Sequence, residues 1–186
     1  SEPRGPVYLS LPREVLAEKP GDFSFQSPSR RVAAHGSAPD PAALDEAAQI
    51  LTSAKNPLII TASVGQNQAA VPALESLAER YALPVITYRP RYVNISSDHP
   101  MHMGYEPGAY LPTVDAVLVV DCDVPWIPSL HKLNPDASVI HIGADPHFEN
   151  YPIRGFPCDL AIRASAVTAL PQLEEAMGAH EKSTNA

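Results

Sequence analysis

The chain is 186 residues long, 45% hydrophobic and 18% charged, enough apolar material for one core and little more than one domain. Its 13 basic and 21 acidic residues give a formal charge of -8, and without a Lys/Arg cluster neither nucleic acid nor an anionic membrane is an expected partner. No apolar run approaches the roughly 18 to 20 residues that span a bilayer, and the N-terminus lacks the basic-then-apolar layout of a secretory signal, so a soluble, cytoplasmic protein is expected.

The 21 prolines punctuate the chain, because each fixes φ and removes a backbone donor. Gly5 to Leu11 reads as a strand. It is followed by a linker over residues 13–39, where prolines, glycines and serines prevent any sustained period. A strand ahead of a long linker needs a sheet elsewhere, since alone it leaves its ladder groups unpaired. Asp40 is a good N-cap with Pro41 at the first helical position, and Leu44, Ala47, Ala48 and Leu51 recur at helical spacing, which predicts a helix from Pro41 to about Ala54.

Pro57 to Ala62 is a continuous apolar run that reads as a strand buried on both faces. A helix carrying Leu74, Leu77, Ala78 and Tyr81 follows, then strands Pro84–Thr87, Ala116–Val120, Ser138–Ile142 and Asp159–Ile162, and a last helix with Leu170, Leu173 and Met177. Pro72 and Pro171 are each placed in a first turn, where the missing N–H costs little. Short strands without polar alternation, joined by crossovers long enough for helices, predict a Rossmann-like, doubly wound α/β fold. Its mainly parallel sheet has five to six strands, with helices on both faces. Ligands in such sheets sit beyond the carboxyl ends of the strands, so function is to be sought after Ala62, Thr87, Val120 and Ile142.

The runs AKNPLIITASVG, LAERYALPVITY, SSDHPMHMGY, VDAVLVVDCDVPW and ASVIHIGADP, in that order, resemble the central domain of acetolactate synthase, pyruvate oxidase and related thiamine diphosphate enzymes. GPVYLSLPREV resembles the end of the pyrimidine-binding domain that precedes it. The resemblance spans residues 5–178. It implies a remnant of the N-terminal domain over 1–12, the linker, a central domain over 40–178 and a flexible tail over 179–186. It also implies N- and C-terminal cofactor-binding domains as partners, a homo-oligomer, and a parent that decarboxylates or ligates 2-oxo acids with thiamine diphosphate and magnesium. The family's activating glutamate and its GDG metal motif lie in those other domains, and Gly21-Asp22-Phe23 is a chance echo in the linker. The chain is therefore expected to hold no catalytic residue and no metal, and to show no activity alone.

Some members of that family bind FAD or ADP on this domain, which makes Gly65, Gly104 and Asp145 candidate nucleotide contacts. Gly65 follows the first strand, where glycine lets backbone approach a phosphate, or equally makes a tight turn. Gly104 matches a loop near the flavin, or is a turn glycine. Asp145 reads either as a ribose ligand or as a turn cap ahead of Pro146. After the third strand the flavin-dependent relatives resemble G-x-R-F, whereas this chain has Cys122-Asp123-Val124-Pro125-Trp126 and no arginine. Trp126 reads as an aromatic wall of a substrate channel or as a packing residue.

Other reactive side chains point to structure. His99 and His102 lack a third ligand at metal spacing, and His141 lies in a strand. His131 and His147 fall in loops, and His35 and His180 in flexible ends. Ser63 has no nucleophile elbow around it. Cys122 and Cys158 are too few and too far apart for a disulfide framework or thiolate metal site. A stand-alone FAD-, ADP- or NAD-binding module is the other reading of the same fold, since fold alone does not decide function.

Overall fold

A computed structural model describes residues 6–30, 32 and 36–184. The chain divides into two compact units, Ser1–Gly36 and Ser37–Ala186. In the first, α1 (Arg13–Ala17) makes one turn, with the Leu16 N–H donating to the Pro12 carbonyl at 3.2 Å. Every described residue of this unit is exposed. The strand expected over Gly5–Leu11 is not formed at residues 6–11; Gly5 and His35 lie outside the described residues. The physical reason is that no described segment offers these residues a ladder partner, and a strand without one is not stable.

The second unit is a five-stranded parallel sheet of order β2-β1-β3-β4-β5. The strands are β1 (Pro57–Thr61), β2 (Val85–Thr87), β3 (Ala116–Val120), β4 (Ser138–Gly143) and β5 (Leu160–Arg163). Pairing aligns Val85, Ile59, Leu118, Ile140 and Leu160 in one row across the sheet, and Ile86, Ile60, Val119, His141 and Ala161 in the next. Because side chains alternate along a strand, the first row faces one layer and the second the other. Both faces are covered, as an all-parallel sheet requires.

Three helices cover the first face: α2 (Pro41–Ser53), α3 (Val71–Arg80) and α4 (Ala166–Thr184). The Asp40 carboxylate caps α2 by accepting the N–H groups of Ala42 and Ala43 at 2.9 and 3.0 Å, and Leu44, Ala47, Ala48 and Leu51 form its buried stripe. Pro72 falls in the first turn of α3, as the sequence predicts. Pro171 does not: α4 starts upstream at Ala166, leaving Pro171 inside the helix. The Ser165 carbonyl accepts the Ala169 N–H at 2.9 Å and nucleates that earlier turn. Pro171 is exposed, and having no N–H it leaves the Val167 carbonyl without its helical donor. The helix also runs to Thr184, beyond residue 178 where a flexible tail is expected from sequence, and His180 contacts Asp45 at 2.9 Å.

On the second face Leu58, Ile60, Ile86, Val117, Val119 and Val139 pack beneath the irregular crossovers. Helical cover there is reduced to single turns, such as the one closed by Leu111 N–H on the Pro107 carbonyl and the one closed by His131 N–H on the Ile127 carbonyl. The free edge of β2 is closed by residues 101–104: Val85 donates to the Met101 carbonyl, Met103 to Val85, and Thr87 to Gly104, at 2.8 to 3.0 Å. This segment blunts an edge that would otherwise template pairing.

Candidate functional site

The winding reverses between β1 and β3: the chain leaves β1 through α3 on one face and leaves β3 on the other. The crevice outside their carboxyl ends is the position where this fold class takes ligands. Gly65 lies there, in the turn Val64–Gln66. Its N–H donates to Asn94 Oδ1 at 2.9 Å, and a Cβ at this position would stand 1.9 Å from the Val93 carbonyl oxygen. Asn94, 1% exposed, also donates to the Ala62 and Tyr92 carbonyls at 3.1 and 3.0 Å. The open approach and free amide that a phosphate would use are thus committed to the chain's own 91–94 loop.

The next loop centres on Asp123, whose side chain is 8% exposed. Its carboxylate pairs with the Arg91 guanidinium and accepts the Tyr151 hydroxyl at 3.1 Å. Its backbone carbonyl accepts Arg154 Nε at 3.3 Å. Burial alone would raise the Asp123 pKa; the Arg91 hydrogen bond and charge and the Tyr151 hydroxyl outweigh it and hold the carboxyl below its ordinary range. The same carboxylate raises Arg91.

Arg154 stacks over Phe148 and Phe156, at 5.0 and 5.2 Å from the ring centroids, and one terminal nitrogen meets His141 Nδ1 at 3.2 Å. Arginine only donates, so Nδ1 accepts and the His141 proton sits on Nε2. Nε2 is buried without a hydrogen bond. Desolvation, then the Arg154 charge, push the His141 pKa down to about 4, opposed by the nearby Pro157 carbonyl. The strand histidine is a neutral core residue. Cys122, buried beside this network, is raised to about 12, first by desolvation and then by Asp123, far from a reactive thiolate.

The remaining sequence candidates are dispersed. Gly104 has φ +97° with open space around it; it turns the chain off the β2 edge while its carbonyl accepts the Thr87 N–H. The Asp145 carboxylate accepts the Glu149 N–H at 3.1 Å, a turn cap. Trp126 is 2% exposed in the second core, edge-to-face with Phe156 at 5.4 Å. His102 Nε2 bonds Thr87 Oγ1 at 3.0 Å, whereas His99 Nδ1 accepts the Met101 N–H at 3.2 Å. His131 Nδ1 accepts the Ile127 N–H at 3.2 Å, and His147 is exposed, as is Cys158 in part. Among the described residues no three His, Cys, Asp or Glu side chains are placed to hold a metal ion.

Sequence reasoning missed Arg91, Asn94, Tyr151 and Arg154. It noted that an arginine is absent from the segment after β3, yet two arginines reach that segment from other crossovers. The only signal was composition: Arg89, Arg91 and Arg154 all fall in segments that follow strand ends.

Residues 44–173 match the family of the thiamine pyrophosphate enzyme central domain, and the chain belongs to that family. Its fold is also found in solved structures. An enzyme of Mycobacterium smegmatis described as thiamin diphosphate-dependent is 24% identical with a TM-score of 0.67, over 79% of this chain and 30% of its own. Benzoylformate decarboxylase from Polynucleobacter necessarius is 20% identical with a TM-score of 0.67, over 84% and 30%. The thiamine diphosphate-dependent 4-hydroxybenzoylformate decarboxylase of Rhodococcus jostii is 23% identical with a TM-score of 0.61, over 77% and 29%. This chain thus spans about 30% of the length of these structures. No described helix is long and apolar enough to cross a membrane.

Proposed function

We propose that this chain is a non-catalytic scaffold within a thiamine diphosphate-dependent enzyme of 2-oxo acids, of the acetolactate synthase and pyruvate oxidase type. In this reading the cofactor and its magnesium are held by N- and C-terminal domains that pack against this one, in a homo-oligomer. The carrying observation is the seat of Gly65 at the winding reversal: its amide is taken by Asn94 Oδ1 and the space beside its Cα by the Val93 carbonyl. Family membership supports the parent class.

The test has two arms. The chain is incubated with thiamine diphosphate, magnesium and either pyruvate or benzoylformate, and carbon dioxide release is followed; none is expected, and turnover overturns the reading. FAD, ADP and NAD are then added separately and thermal unfolding is measured. A nucleotide present at 100 times its Kd stabilises a folded domain by about 2.7 kcal/mol. No shift is expected; a shift of that size replaces the scaffold reading with that of a nucleotide-binding module.

A further inference from the structure

The β4–β5 connection, residues 144–158, is fastened unlike the rest of the fold. Both of its ends are fixed. At the start, Asp145 accepts the Phe148 and Glu149 N–H groups. At the finish, the Asp159 carboxylate accepts the Val139 N–H at 2.7 Å and the Asp159 N–H returns to the Val139 carbonyl at 2.8 Å. Between Pro146 and Leu160 no residue is buried, and Tyr151 and Ile153 are 47% and 89% exposed. Its apolar anchor is Phe156, half-buried against Trp126, so burial holds the segment only near its finish. Its Glu149–Arg163 ion pair is exposed on both sides, 64% and 55%, and pairs of that kind contribute little.

The polar contacts of the middle converge on one residue. Tyr151 donates to the Asp123 carboxylate and Arg154 to the Asp123 carbonyl, while Arg154 also reaches His141. Phe148 has φ +50°, a left-handed turn that a non-glycine adopts at a cost, so the segment carries a strained bend that its fastening must offset. Beneath it lie Trp126 and His141, 2% and 1% exposed.

The geometry points to residues 144–158 acting as a strap over the carboxyl ends of β3 and β4, latched by Asp123 and opening about its two fixed ends when that latch is removed. The strap thus covers the carboxyl ends, the ligand-facing side of this fold class. This inference goes beyond the scaffold reading and does not depend on it.

Amide hydrogen exchange on the intact chain and on Asp123→Ala, which removes the carboxylate that accepts the Tyr151 hydroxyl, tests it. Losing hydrogen bonds to a charged group is expected to speed exchange at residues 147–156 by roughly tenfold to a hundredfold, with the amides of β1 and β3 unchanged. Trypsin cleavage after Arg154 is expected to accelerate in parallel. Equal exchange in the two proteins overturns the latch, as does a strap already unprotected in the unsubstituted chain. Should Asp123→Ala unfold the whole domain, Tyr151→Phe gives the same decision, because it removes one strap contact and leaves the Arg91 pair: faster exchange confined to the strap supports the latch, and none overturns it.

Discussion

The Gly65 amide donates to Asn94 Oδ1 at 2.9 Å while the Val93 carbonyl oxygen occupies the place of the Cβ that residue 65 lacks. One glycine thus lets two crossovers, the one after β1 and the one after β2, close upon each other. The contact is with backbone, which cannot rotate away as a flexible side chain can.

Gly65→Ala is therefore expected to destabilise the domain by about 3 kcal/mol, the upper end for overpacking a filled site, lowering Tm by roughly 10 °C for a domain of this size. Asn94→Ala leaves the Gly65 amide and the Ala62 carbonyl without their partner, and is expected to cost about 2 to 3 kcal/mol. Urea unfolding of the two variants checks this; an unchanged midpoint in Gly65→Ala shows that the 91–94 loop is not seated as described.

Trp126 is expected to behave as core. Its ring is closed into the second apolar layer against Phe156, so Trp126→Ala should cost about 3 to 5 kcal/mol, whereas Trp126→Phe should lose much less. Chemical denaturation of both variants separates this from a channel-wall role, for which truncation would leave stability nearly unchanged.

His141 gives the domain a defined acid response. Its folded pKa of about 4 lies below the ordinary 6.5, so between those values the unfolded chain takes up a proton that the folded one refuses. Stability is unaffected above pH 6.5 and falls as pH drops from 6.5 toward 4, by about 3 kcal/mol in all. Asp123, held low, adds its own loss only as pH falls further through its depressed pKa. Urea midpoints measured at pH 7 and pH 4.5 should separate less in His141→Asn than in the unsubstituted chain; an equal separation removes His141 as the cause.

Much of this protein was legible in local pattern. The capped stripe of α2 and the uniformly apolar runs of β1 and β3 fall where periodicity puts them, because a strand buried on both faces and a helix buried on one have different spacings that a linear sequence records. The parallel sheet follows from the lengths between those runs. One local reading failed for a non-local reason, since residues 6–11 have the composition of a strand but no ladder partner among the described residues; the other failed locally, since Pro171 stands inside a helix whose start is set by Ser165, six residues earlier.

Which groups meet at the carboxyl edge was decided only by the tertiary structure. Arg91, Asp123, Tyr151 and Arg154 come from three different crossovers, and Gly65 is explained by Val93, a residue from another loop. A crossover records in its own residues where it begins and ends, but its tip is positioned by the sheet that carries it, so hydrogen bonds between tips leave no periodic trace along the chain.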